Sequence, residues 1–314
     1  MRTISKEKME MKNVSLLVVA LFSLGLAQDV VWDFSKPVEG AWSTRFATRS
    51  MEENALCLTP TKKDCGLVVS KLSLDPAPFT HIRMTLRYVD FADEKISGQI
   101  YFDTAKAPLS GKQAIHFQRP AMNGETQTVL LSLQNIRGGA DLWYGGEKIT
   151  SVRFDVADQY PGKIYIEKLE LLTTPSVFDF SKPTFGWDHP FRMTVTREDD
   201  GVKMDVTGLD SRYANNTVRF PAEAYRKIKI VYSAEGFLEK NHGGELFYAS
   251  VTTPQYGGKG RYIRIPSLNT DGEEHEMILN ANWQNEGIIT GLRLDMTNAA
   301  PGTIKLKRIE LLKE

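Results

Sequence analysis

The sequence predicts an all-β protein made of two tandem copies of one antiparallel module. The first observation is an internal repeat. The motif Asp-Phe-Ser-Lys-Pro at residues 33–37 returns at residues 179–183, and an Arg-x-Asp strand with a following Pro-Gly at residues 153–162 returns at residues 293–302. The copies align at an offset of 146 residues near the start (180 − 34) and 140 near the end (301 − 161). One motif opens each copy and the other closes it, so the chain is a duplication.

The second observation is strict alternation of apolar and polar residues. Residues 81–88 place Ile, Met, Leu and Tyr on one face, and residues 227–230 and 152–156 alternate in the same way. Period-two patterns bounded by Gly, Pro and Asn turns are typical of half-buried antiparallel strands. Many short strands with one apolar face form a sandwich or a barrel. No segment after the first 27 residues shows a convincing helical period.

The closing strand of each copy changes its apolar face part of the way along. In the first copy the apolar positions shift parity between residues 166 and 169, and the second copy shifts at the equivalent place. One extra residue in a strand turns its faces over, so we predict a β-bulge or sharp twist near Lys168 and Arg308. A strand buried on both faces is the alternative, which Glu167 and Lys307 disfavour.

The N-terminal segment predicts export. A lysine followed by an apolar run at residues 14–24 and small residues before position 28 is typical of a secretory signal peptide. We therefore assign residues 1–27 to a signal peptide cleaved after Ala27, with Met11 as the natural start, and the two modules to residues 28–174 and 175–314. The expected location is secreted or periplasmic, and no later segment is apolar enough to span a membrane.

Composition and motifs exclude several function classes. Lys plus Arg number 39 and Asp plus Glu number 39, whereas a general nucleic-acid binder usually has a basic excess. The five histidines show no spacing of zinc ligands, and neither a phosphate-binding loop nor a serine nucleophile elbow occurs. We therefore expect a protein that binds no metal, no cofactor and no nucleic acid and that is not an enzyme. We also expect it to be a monomer. Two carboxylates across a cleft, as a glycosidase needs, are not excluded.

Two cysteines, Cys57 and Cys65, remain in the mature chain. In an exported protein such a pair predicts a disulfide. The intervening residues have the composition of a turn between strands, so a bridge across a hairpin is sterically reasonable. The second copy lacks both cysteines, so the fold does not depend on the bond. Free thiols are the alternative.

The closing motifs carry a resemblance to a known class. The second copy reads Trp-Gln-Asn-Glu-Gly-Ile-Ile-Thr-Gly-Leu-Arg-Leu-Asp at residues 283–295 and continues through a Pro-Gly turn into an Ile-x-Leu strand at residues 301–311. These residues resemble the jelly-roll, galactose-binding-like β-sandwiches found as carbohydrate-binding modules in secreted bacterial proteins. The resemblance implies a sandwich rather than a barrel, and a glycan or polysaccharide as the partner.

Members of that class often hold a structural calcium with an acid in the closing strand. The second copy has Lys307 and Arg308 where the acid would stand, which disfavours calcium there. In the first copy Glu167 and Asp33 are the residues that would contribute.

A sugar site needs flat aromatic surface and fixed polar groups. The candidate ligand-binding residues are aromatic side chains in polar loop sequence and one amide beside them, namely Trp143, Tyr144, Tyr256, Tyr262, Asn282 and Trp283. Packing is the alternative for the two tryptophans, and ordinary surface hairpins for the loop tyrosines. We interpret Trp42 and Trp187 as packing residues. Asp155 and Asp295, each two residues after an arginine, are interpreted as surface ion pairs.

The sequence therefore predicts an exported, non-catalytic carbohydrate-binding protein with two modules. The first alternative is a structural or adhesive cell-envelope protein that binds other proteins. The second is a small polysaccharide-active enzyme.

Overall fold

The structure is a computed structural model that describes residues 29–38, 40–92, 95–108, 110–120, 124–182, 185–237, 243–257 and 260–313. The predicted signal peptide, residues 1–27 with its cleavage site after Ala27, lies outside the described residues. Among the residues described, no helix is both long and apolar enough to cross a membrane.

The first module consists of two antiparallel sheets. Sheet A has the order β3-β4-β11-β6-β9, with β1 also paired to β11, and sheet B has the order β2-β5-β10-β7-β8. The strands are β1 (Val30–Asp33), β2 (Ala41–Arg45), β3 (Ala47–Glu52), β4 (Ala55–Pro60), β5 (Cys65–Ser70), β6 (Phe79–Val89), β7 (Lys95–Thr104), β8 (Ala114–Pro120), β9 (Thr126–Ser132), β10 (Ile149–Ala157) and β11 (Lys163–Thr173). A 3-10 turn at Leu133–Asn135 and the one-turn helix α1 (Asp141–Tyr144) connect β9 to β10.

The second module repeats this plan. Sheet C has the order β14-β15-β23-β18-β21, with β12 paired to β23, and sheet D has the order β13-β16-β22-β19-β20, with β17 paired to β22. The strands are β12 (Val177–Asp179), β13 (Trp187–Phe191), β14 (Met193–Glu198), β15 (Gly201–Val206), β16 (Arg212–Asn215), β17 (Phe220–Pro221), β18 (Lys227–Glu235), β19 (Gly244–Ser250), β20 (Tyr262–Ile265), β21 (His275–Asn280), β22 (Ile288–Asp295) and β23 (Gly302–Leu312). A 3-10 turn lies at Ala222–Ala224.

Each module buries its own hydrophobic core between its two sheets. In β6 the alternating residues Ile82, Met84, Leu86 and Tyr88 are all buried, while the intervening side chains face outward. The first core gathers residues from Trp32 to Leu171 and the second from Phe178 to Leu311, with no member in common. The predicted fold class, two tandem antiparallel jelly-roll sandwiches, is confirmed.

The predicted bulge is present in both closing strands. In the pairing of β11 with β6 the register shifts between Ile166 and Lys168, so that Glu167 is the extra residue. In the pairing of β23 with β18, Val231 pairs with Arg308 and the next residue with Leu306, so that Lys307 is skipped. Each extra residue reverses the faces of the strand, which lets apolar residues of both parities point into one core.

The predicted disulfide is absent. Cys57 and Cys65 are both buried free thiols. Cys57 lies in β4 and packs with Ala55 and Tyr165 in a small cluster apart from the main core. Cys65 lies in β5 of the opposite sheet, belongs to the main core, and its Sγ is 3.3 Å from the carbonyl oxygen of Ala157. The two strands pair in different sheets rather than in one hairpin, which is why the cross-hairpin argument failed.

The two modules meet at a small junction whose centre is Arg219. Its guanidinium lies 4.0 Å from the ring centroid of Tyr144, and its Nε donates to the carbonyl oxygen of Ala77 at 3.1 Å. The backbone N–H of Arg219 donates to the hydroxyl of Thr174 at 2.6 Å, and that hydroxyl lies 3.1 Å from the Arg219 carbonyl oxygen. The rings of His81 and Phe185 are 4.2 Å apart. Contacts from several segments therefore orient one module against the other.

Candidate functional site

The outer faces of sheet B and sheet D carry the same arrangement of side chains. On sheet B, Val152, Phe154 and Val156 of β10 point into the core, so Arg153 and Asp155 point away from it. Tyr101 of the neighbouring strand β7 pairs with Arg153 and shares that outer face. Strand parity thus brings an arginine, an aspartate and an aromatic ring together.

In the first module the arginine and the aspartate form a bidentate pair beneath an aromatic ring. The Nε of Arg153 donates to both carboxylate oxygens of Asp155, at 2.7 and 2.9 Å, and Nη2 donates to Oδ2. The guanidinium carbon lies 4.4 Å from the ring centroid of Tyr101. The side chains of Arg153 and Asp155 are only 11% and 5% exposed. Oδ1 of Asp64 lies 3.5 Å from Nη2 of Arg153, so a second, more exposed carboxylate lies beside the pair.

The second module repeats the geometry. Arg293 Nε donates to Asp295 Oδ1 at 2.9 Å, and the guanidinium carbon lies 4.7 Å from the ring centroid of Phe247. Asp210 accepts from Nη2 of the same arginine at 2.9 Å, in the role that Asp64 plays in the first module. The ring of Tyr262 on β20 lies 5.8 Å from that of Phe247. The second face therefore has two aromatic rings at the same place.

Both aspartates are held in an unfavourable environment for a charged group. Burial raises the pKa of Asp155 and of Asp295 to about 6, although the arginine bonded to each carboxylate acts in the opposite direction. A Cβ atom at Gly66 would lie 2.1 Å from Oδ1 of Asp155, so glycine is required there for the carboxylate to fit. Ion pairs buried in this way contribute little net stability, and shifted carboxyl groups concentrate at functional sites.

Polar groups surround each aromatic ring. On sheet B the hydroxyl of Tyr101 bonds to the side-chain oxygen of Gln99, and β8 adds the exposed side chains of His116 and Gln118. On sheet D, Glu245 and the exposed Arg264 flank Phe247. Each face thus offers an apolar ring surface beside hydrogen-bond donors and acceptors.

The structure buries the two tryptophans that were candidate ligand contacts. Trp143 is 1% exposed and donates from Nε1 to the carbonyl oxygen of Pro76 at 3.0 Å. Trp283 is 0% exposed and donates to the carbonyl oxygen of Tyr225 at 2.9 Å. Both rings pack in the hydrophobic cores, so they present no surface to a sugar, and packing accounts for their recurrence in both copies.

Tyr144 also lies away from the outer faces. Its hydroxyl donates to the carbonyl oxygen of Phe79 at 2.8 Å, and its ring contacts Arg219 at the junction. Burial raises the pKa of this phenol well above its usual value. Its role in this structure is to join the modules.

Of the remaining three candidates, Tyr256 and Tyr262 lie at the outer face of sheet D and Asn282 lies at its edge, beside β20. Tyr262 is paired with Phe247 on that face, and Asn282 supports it by donating to its carbonyl oxygen at 3.0 Å. The hydroxyl of Tyr256 donates to Oδ1 of Asn216 at 2.5 Å and lies over Gly291 of β22, where a Cβ atom would come within 2.4 Å of the oxygen. The structure therefore brings Tyr256 and Tyr262 close to the second arginine–aspartate pair, whereas Asn282 contacts only the backbone at Gly260 and Tyr262.

The residues proposed for calcium already have protein partners. The carboxylate of Asp33 accepts from the backbone N–H and the hydroxyl of Ser35, and that of Glu167 accepts from the hydroxyl of Thr126 at 2.8 Å. Across the described part of the chain, no group of three or more His, Cys, Asp or Glu side chains is arranged to hold a metal ion.

The sequence matches no protein-family model and no curated protein. Among solved structures, the chain is similar to the family 11 carbohydrate-binding module of a cellulosomal cellulase of Clostridium thermocellum, at 14% identity and a TM-score of 0.36, over 48% of this chain and 97% of that one. It is also similar to a family 29 carbohydrate-binding module, at 16% identity and a TM-score of 0.34, over 47% and 93%. An agarase matches at 11% identity and a TM-score of 0.38, over 48% of this chain and 26% of the agarase. Likenesses this distant carry no conclusion about what the chain binds.

Proposed function

We propose that the protein is an exported, non-catalytic carbohydrate-binding protein whose two modules each bind a neutral glycan on the outer face of sheet B or sheet D. The observation that carries the proposal is the buried arginine–aspartate pair beneath an aromatic ring, present once on each face. A solvent-facing sheet does not need a desolvated ion pair for its stability. Its retention in both modules therefore favours a role in binding.

The chemistry of the faces suits a neutral sugar. A pyranose ring packs its C–H face on an aromatic side chain, and its hydroxyls need donors and acceptors held in fixed positions. Tyr101 and Phe247 supply the ring surface. The arginines and aspartates below them supply donors and acceptors of balanced charge, and their mutual bonds fix their orientation before a ligand arrives.

Binding without catalysis is favoured by the state of the carboxylates. A glycosidase uses two carboxyl groups on opposite sides of the scissile bond, one of them free to donate a proton. Here each buried carboxylate is held by two nitrogens of an arginine on its own strand. In its ionised form such a carboxylate is a hydrogen-bond acceptor held in a fixed position.

Affinity electrophoresis of the mature chain in gels containing neutral polysaccharides tests the proposal. We expect retardation by at least one polysaccharide, and we expect the double variant Tyr101→Ala, Phe247→Ala to lose it, because truncating an aromatic anchor costs about 1–3 kcal/mol. Val31→Ala with Val177→Ala is the matched control, since both valines are about half exposed and lie on strands of sheets A and C.

The outcomes separate the alternatives. A wild type that no polysaccharide retards, or a double variant that is retarded as strongly as the wild type, contradicts the proposed faces and favours the structural or adhesive protein. Release of reducing sugar from the same panel identifies the polysaccharide-active enzyme instead.

A further inference from the structure

The first module has an open cleft that is separate from the outer face of sheet B. It lies between β2 and β3, the edge strands of sheets B and A, and has a volume of about 810 Å³. Trp42 of β2 lines it from one side, and Arg49 and Met51 of β3 line it from the other. Arg49 Nη1 crosses the gap and donates to the carbonyl oxygen of Trp42 at 3.1 Å.

The cleft combines apolar surface with a cation. Trp42 is half-buried and is held edge-on by Trp32 and Phe34, with ring centroids 5.6 and 5.3 Å away. Met51 is 58% exposed, so its thioether is accessible from the cleft. Arg49 is exposed between them. A flat ring, a thioether and a guanidinium therefore face one space.

Two acidic side chains, Glu52 and Glu53, also line the cleft, and each is paired with a basic residue. Glu52 bonds to the hydroxyl of Ser50 and to Lys163, and these contacts lower its pKa to about 2. Glu53 pairs with Arg87 at 2.5 Å. Both acidic side chains are thus matched by cations that do not line the cleft. Within the described residues, no carboxylate lies within ion-pair distance of Arg49.

The second module differs at the equivalent strand. β14 aligns with β3 at an offset of 146 residues, so Val195 stands in place of Arg49 and Arg197 in place of Met51. The guanidinium of Arg197 donates to the carbonyl oxygen of Lys182 and so spans from the strand to the opening loop. The second module therefore has no arginine at the place of Arg49, and an arginine replaces the thioether of Met51.

We infer that the cleft is an additional ligand site, specific to the first module, for an acidic sugar residue of the uronate type. The apolar face of the sugar would pack on Trp42 and Met51, and its carboxylate would bind Arg49. A guanidinium recognises a carboxylate through two parallel hydrogen bonds, which an ammonium does not provide. A cleft of this size accommodates a short oligosaccharide end. The site is independent of the neutral-glycan faces.

Isothermal titration of the mature chain with trigalacturonate, and with the neutral trisaccharide galactotriose, tests the inference. We expect trigalacturonate to bind one site per chain, to bind at least tenfold more tightly than galactotriose, and to weaken as salt rises. Arg49→Gln should reduce the affinity at least tenfold. Met51→Glu, at an exposed position, should do the same by placing a negative charge in the cleft, while Met51→Gln should retain binding.

Two further measurements distinguish this site from the outer faces of sheets B and D. The variant Tyr101→Ala, Phe247→Ala should bind trigalacturonate as the wild type does, and Arg49→Gln should keep any retardation by neutral polysaccharide. The inference is overturned if the wild type does not prefer trigalacturonate, if Arg49→Gln and Met51→Glu both bind it normally, or if the outer-face variant alone abolishes its binding.

Discussion

Replacing Asp155 by asparagine should make the protein relatively more stable as the pH rises. The carboxyl group has a pKa near 6 in the folded protein against an ordinary value of 3.8, because burial outweighs its bonds to Arg153. Between these two values the folded state binds more protons than the unfolded state, so stability falls as pH rises through the window and the loss is complete above about pH 6. Asparagine keeps the shape and a hydrogen-bonding oxygen but does not titrate.

The magnitude follows from the size of the shift. A difference of about two pKa units corresponds to ~3 kcal/mol, since each unit is ~1.4 kcal/mol. Partial access of solvent reduces this figure, so we expect about 2 kcal/mol. The stability of the wild type minus that of Asp155→Asn should therefore fall by about that amount between pH 4 and pH 7.

Urea unfolding of the protein and its variants at pH 4, 5, 6 and 7 measures this difference. Subtracting the variant removes the contributions of all other carboxyl groups. Asp295→Asn is the replicate in the second module, because burial raises its pKa to the same value. Asp205→Asn is the control: Lys203 and Thr303 lower the pKa of Asp205 below its ordinary 3.8, so there the difference should rise with pH mainly below pH 4 and stay nearly flat from pH 4 to pH 7. A wild-type-minus-Asp155→Asn difference that stays flat or rises would refute the reasoning.

Three further predictions concern the cores and the junction. Trp283→Ala should lower the free energy of unfolding by about 3–5 kcal/mol, measured by urea unfolding, because it empties a fully buried site; a loss under ~1 kcal/mol would contradict core packing. Thiol labelling of unreduced, denatured protein should modify both Cys57 and Cys65, whereas folded protein should react slowly because both thiols are buried; no labelling after denaturation would show a disulfide. Arg219→Ala should increase the radius of gyration of the protein in small-angle scattering, and an unchanged radius would show that the other junction contacts are sufficient to hold the modules together.

The fold could be predicted because its signals are local and occur twice. The bulge at Glu167 and Lys307 is an example, because a change of parity in the apolar residues is visible in one strand without knowledge of its neighbours. The prediction of a disulfide was wrong because it depended on which strands pair, and strand pairing is not a local property of the sequence. The sequence shows that Cys57 and Cys65 are separated by a turn, but it does not show that their strands join different sheets.

The candidate site was only partly predictable, because it depends on neighbours distant in sequence. Parity correctly placed Asp155 on the outer face, yet its burial comes from the residues packed around it on neighbouring strands. The interpretation as a surface ion pair was therefore right about the bond and wrong about the exposure. The prediction that Trp143 and Trp283 contact a ligand was wrong. Their neighbours in sequence are polar, but their rings are buried and donate hydrogen bonds to backbone carbonyl oxygens. A usable signal was the alignment of Tyr101 with Phe247, next to the repeated Arg-x-Asp motif.

The junction at Arg219 makes the two modules different from each other. The surface that receives Arg219 is built by Ala77, His81 and Tyr144 of the first module. The residues that align with them in the second module are Glu223, Lys227 and Gln284, which offer neither a ring nor an apolar rim. The second module therefore lacks the surface with which the first module contacts Arg219. The two modules are therefore not interchangeable, because exchanging their order along the chain would separate Arg219 from the surface that it contacts.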